Sequence, residues 1–341
     1  MQLSPMRCLM PSSARRRQQC PLLAAFCASL VDGLARLESA LSSSSAVSIR
    51  WCADAMRLVR RMQGDLLAVF RSADAPVAAA DCPGGGGAGS SDCWLEQYMQ
   101  ETAALLDLCN ALKSAVARMH RYCMVVNFAA QAHGRRAGAT AASLVAAGAS
   151  EAEETDAPSS AEAVRGKLSD VRAVVSEAER LGRKILSGGG GGSSIVLVTL
   201  VAKITMAVVA TSVLHALSHT SPPSPLDDDD FGAHQRRSTM LARAAIPEQL
   251  RPWRESLSAI NDRVTALPAS IAEHESVATA VRDMIGGEME GSEDHVELLR
   301  ARSGDLREGV EMFDCVLDQV FDEVIRGRNE MLGIFRDKAL T

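Results

Sequence analysis

The chain has 341 residues, 47% of them apolar but only 4% aromatic, so any core is built from Leu, Val, Ala and Met. That composition suits packed helices better than a β-sandwich. The formal net charge of −6 leaves no basic footprint for a polynucleotide, so nucleic acid is excluded as an expected partner.

Residues 1–20 carry Arg7, Arg15, Arg16 and Arg17 and no acidic group, and read as a basic, disordered tail. Leu22–Val31 has the length of a signal-peptide apolar region, but its pattern continues past Asp32 as a helix would. Residues 21–133 form a block of amphipathic helices. In Pro21–Leu41, the residues Leu23, Cys27, Leu30, Leu34, Leu37 and Leu41 alternate spacings of four and three, which keeps them on one helix face. Ser42–Ser45 break the pattern and offer caps for a second helix over Val47–Phe70, striped by Trp51, Leu58, Met62 and Leu66. Ser72–Ser91, with Gly84–Gly87, is a linker. Asp92 then caps a third helix, whose seam runs Leu95, Tyr98, Thr102, Leu105, Cys109, Leu112, Val116, Met119 and Cys123. The spacing predicts fraying after Phe128.

Residues 134–160, rich in Ala and ending in acidic groups, read as a flexible linker. A helix is predicted over 161–186, striped by Val164, Leu168, Val171, Val175, Ala178, Leu181 and Ile185. Residues 187–194 are a Gly/Ser linker. Residues 195–217 follow as a strongly apolar helix, whose rise of roughly 34 Å would suffice to cross a bilayer. Lys203 is its lone charge, off-centre, where it could snorkel. A crossing would place the helices before and after it on opposite sides of the membrane, which conflicts with a single bundle. Residues 218–245 form an acidic linker containing Asp227–Asp230, and 246–341 hold the C-terminal helices. Leu250 to Leu267 is one of these, ended by Pro268, and Ile271–Ile285 is the next. Gly286, Gly287 and Gly291 interrupt the pattern, Val296–Arg302 holds a short helical turn, and Asp305–Lys338 is the last helix. The expected fold is all-α: a bundle of long amphipathic helices with Gly/Ala/Ser-rich linkers and one apolar central helix.

No catalytic or cofactor-binding residue emerges, and no cofactor is implied. Eight of the nine cysteines lie between Cys8 and Cys123, with no C-x-x-C pair, and read as reduced buried thiols in an intracellular compartment. His215 and His219 have the i, i+4 spacing of a helical zinc pair but lack the glutamate of H-E-x-x-H, so no metal site is expected. His120 and Cys123 lie one turn apart, yet Cys123 is on the buried seam, where a thiol is inert packing. Neither glycine run is followed by Lys-Ser/Thr, and no nucleophile elbow or dinucleotide fingerprint occurs. Two basic features remain as contact candidates for a protein partner or acidic lipid: Arg50, Arg57, Arg60 and Arg61, and the Arg326-Gly327-Arg328 triplet.

Several stretches resemble the plant BYPASS-related proteins. These are Phe26–Leu37 (FCASLVDGLARL), Ser48–Trp51 (SIRW), Met56–Leu58 (MRL), Trp94–Tyr98 (WLEQY) and Leu105–Leu112 (LLDLCNAL). Near the end come Val320–Val324 (VFDEV) and Arg326–Arg328, with Leu332 and Arg336. The resemblance implies a non-enzymatic helical regulator of plant development. It would restrain a root-to-shoot mobile signal, or act in exocyst-linked secretion through protein contacts at a membrane, with exocyst subunits among its partners. The alternative expectation is an enzyme or small-molecule carrier with a bundle-core pocket, acting on a signal precursor.

Overall fold

The computed structural model describes residues 13–72, 94–133, 193–217, 250–286 and 293–339. The tail before residue 13, the predicted helix at 161–186 and the linkers at 134–160, 187–192 and 218–245 lie outside the described residues. The described elements are α1 (Ser13–Ser42), α2 (Ile49–Ser72), α3 (Trp94–His133), α4 (Ser193–Leu217), α5 (Arg251–Ala266), α6 (Ala272–Gly286) and α7 (Glu293–Ala339). The only β pairing among the described residues is one parallel bridge, Val47 with Ile271. The protein is an all-α bundle.

Several element boundaries differ from the sequence reading. Helix α1 starts at Ser13, inside the expected tail, because Arg15–Gln19 are good helix formers and Pro21 removes one backbone bond without ending the helix. The cap of α2 is Ser48 rather than Ser42–Ser45: its Oγ accepts the Trp51 N–H at 3.1 Å, the N3 donor an N-cap side chain satisfies. Glu273 adds a carboxylate that accepts the Ile49 N–H at 3.0 Å, favourable at the positive end of the helix dipole. Helix α3 continues past Phe128 to His133.

The C-terminal turn and last helix are one 47-residue helix, α7. Val296, Leu299, Ser303, Leu306, Val310 and Phe313 form an unbroken buried stripe across the glycine. Gly304 itself has open space around it, so it costs only the roughly 1 kcal/mol of helix propensity and breaks nothing.

All seven described helices feed one hydrophobic core. Helix α2 runs parallel to α7, with Arg60 donating to Gln319 and Arg71 paired to Glu330 further along both. Helix α3 runs antiparallel to α7: Arg328 reaches Met99, Lys113 reaches Asp314 and Asp318, and Arg300 reaches Ala130. Two glycines allow the close approaches. A Cβ at Gly309 would lie 2.3 Å from Ile49 Cγ2, and one at Gly33 would lie 2.3 Å from Leu58 Cδ1. Arg263 closes the other end of the bundle by donating to the Leu41 carbonyl, which also accepts the Ser44 N–H, and to the Ser44 carbonyl just past the end of α1.

The apolar helix α4 packs against α2, α3 and α5. By length and composition it is the one helix among the described residues that could cross a membrane, with mean hydropathy 2.1 over Leu197–Leu217. In this fold 89% of that stretch is buried inside the protein. Two polar contacts fix it there. Lys203 Nζ pairs with Glu101 of α3 at 2.5 Å, and Thr205 Oγ1 accepts the indole N–H of fully buried Trp253 at 2.9 Å. Helices before and after α4 share the core with it, which is the single-bundle side of the conflict noted above.

Candidate interaction surface

The polar residues inside the bundle serve the fold. Between α2, α3 and α4 a cavity of about 10 Å³ is lined by Gln63, Tyr98, Glu101, Thr199 and Lys203, among others. That volume holds one water molecule, far below the several hundred Å³ of a ligand pocket. Gln63 Oε1 is buried beside it without a protein hydrogen bond, so a bridging water suits the site. Burial pushes the Tyr98 hydroxyl up to about 12, so it stays protonated.

The thiols read as packing. Burial raises Cys109 to about 12 and Cys123 to about 11, and drives Cys52 higher still. A thiol so shifted is a poor nucleophile at neutral pH. No hydrogen bond joins Cys123 to His120, whose Nε2 is buried without an acceptor or donor. Cys315 is the exposed thiol among the described cysteines. His274 stacks on Tyr122 at 4.7 Å between ring centroids, and His295 is exposed. The His215–His219 pair cannot be placed, since His219 lies outside the described residues. No cluster of three or more His, Cys, Asp or Glu suited to a metal occurs among the described residues.

The two basic features have different fates. In the first, Arg57 pairs with Asp54 at 2.6 Å and Arg60 donates to Gln319 at 2.5 Å, while Arg50 and Arg61 are exposed. The Arg326-Gly327-Arg328 triplet is a packing device. Arg326 pairs with Glu323 at 2.5 Å, and Arg328 donates to the Met99 carbonyl at 2.6 Å and to Thr102 Oγ1 at 2.8 Å. A Cβ on buried Gly327 would come within 2.6 Å of the Tyr98 hydroxyl. These contacts bind α7 to α3 and leave only Arg326 facing outward.

The surface that stands out is apolar, and sequence reasoning missed it. Six large apolar side chains are exposed among the described residues, and five share the outer face of the α3/α7 pair. On α3 these are Met124 (71% exposed) and Phe128 (61%), and on α7 they are Phe321, Ile325 and Leu332 (55%). Phe321, Ile325 and Leu332 fall at i, i+4 and i+11, on the same α7 face as Asp314 and Asp318. Those two aspartates grip Lys113 of α3 at 2.7 and 2.6 Å, so a charged clasp divides the face into two apolar ends. The sixth exposed residue, Leu298, lies on the opposite side of α7. With α3 antiparallel to α7, Met124 and Phe128 lie about 20 Å or more along the helix axes from Phe321, Ile325 and Leu332, so these are two separate apolar groups, and the α7 trio is the candidate contact surface.

Comparison with protein-family models, curated proteins and solved structures found no match. The surface is therefore read from its own chemistry.

Proposed function

We propose that the chain is a non-enzymatic helical regulator that works through protein contacts, using the outer α3/α7 face. The observation that carries this reading is the exposed apolar run Phe321, Ile325 and Leu332 along one face of α7. The buried polar groups add support: Lys203, Glu101, Thr205, Trp253 and Arg328 are engaged in holding helices together. The resemblance to plant BYPASS-related proteins gives the reading its biological setting. That setting is developmental control, either restraint of a root-to-shoot signal or exocyst-linked secretion with exocyst subunits as partners. The carrier alternative needs a ligand-sized pocket, and the core cavity between α2, α3 and α4 is water-sized.

Proximity labelling in plant cells tests this function. A partner set that is reduced when Phe321 and Ile325 are both changed to Asp would support it. Reproducible catalytic turnover by the purified protein would overturn it.

For location, the reading is an intracellular, membrane-associated protein whose α4 stays inside the bundle, with a cytoplasmic bundle as the alternative. Burial of α4 and its Lys203–Glu101 pair support retention in the bundle. The mean hydropathy of 2.1 is the observation that favours a crossing instead. Alkaline carbonate extraction separates these: release into the supernatant is expected for a peripheral bundle, and retention in the pellet for a span.

A further inference from the structure

We draw no further inference here: the strongest candidate, the exposed apolar run Phe321, Ile325 and Leu332 on the outer face of α7, belongs to the contact surface already described, and nothing in the structure shows what covers it.

Discussion

Replacing Glu101 by Gln asks directly whether α4 lives inside the bundle. Lys203 and Glu101 are 22% and 16% exposed and 2.5 Å apart, so the pair is mostly but not wholly removed from water. Breaking a fully buried pair costs about 3–5 kcal/mol and breaking a surface pair about 0–1 kcal/mol. With four-fifths of each side chain covered, the neutral Gln leaves a partly desolvated ammonium unmatched, and a loss of about 2 kcal/mol is expected. With an m-value of about 2–3 kcal/mol/M, the urea midpoint followed by far-UV circular dichroism should fall by about 0.7–1 M. The companion double variant, Glu101→Leu with Lys203→Met, removes both charges and fills the space with apolar atoms. It should return to within about 1 kcal/mol of the parent, since replacing an ion pair by packed apolar groups is near neutral. If Glu101→Gln leaves the midpoint unchanged, or if the double variant is as unstable as the sum of the two single changes, the pair does not hold α4 in the core.

Other outcomes follow from the packing. Gly309→Ala should destabilise by about 1–3 kcal/mol, because its Cβ meets Ile49 at 2.3 Å, whereas Gly304→Ala, with open space around it, should stabilise by about 0.5–1 kcal/mol in the same thermal melts. Trp253→Phe removes a buried hydrogen bond to Thr205 and should cost about 1–2 kcal/mol, read by urea titration. Among the described cysteines, Cys315 should react with a maleimide in the folded protein while Cys52 and Cys109 react only after unfolding, as counted by mass spectrometry. Cys109 and Cys123 have folded pKa values raised by burial from 9.0 to about 12 and about 11, so the folded state holds their protons longer than the unfolded chain. Their contribution is complete below pH 9 and is lost as pH rises from 9 towards 12, so the denaturation midpoint should fall over that window.

Regular spacing made most of the helices legible. The three–four seam of α3 from Tyr98 to Cys123 is buried as its pattern implies, and Leu30, Leu34, Leu37 and Leu41 of α1 likewise. The errors have local causes. The sequence reading separates Val296–Arg302 from Asp305–Lys338, but the buried stripe on both sides of Gly304 outweighs that glycine's propensity cost and joins them in one helix. Serines at 42–45 offer caps by type, but the cap is Ser48, and the Ile49 N–H takes its acceptor from Glu273, over two hundred positions away. Sequence could identify the length and apolarity of α4 but not its neighbours, and it was Glu101 and Trp253 that gave Lys203 and Thr205 partners. The contact face was hidden for a related reason. Phe321, Ile325 and Leu332 stand out as exposed only once α3 and α7 lie antiparallel and bury the rest of the α7 stripe, and that register depends on the Lys113 and Arg328 contacts.

The pairing of α2 with α7 also shapes how this chain is made. Arg60 and Gln319 meet across 259 positions of sequence, so the first helices leave the ribosome long before the helix that covers them exists. At about 5–20 residues per second, that interval is roughly 13–50 seconds. During it the apolar faces of α2 and α3 stand open to other nascent chains and to chaperones. Synthesis that stops before Glu293 would release a product in which the parts of α2 and α3 that α7 covers stay exposed, even with α1 and α4 in place.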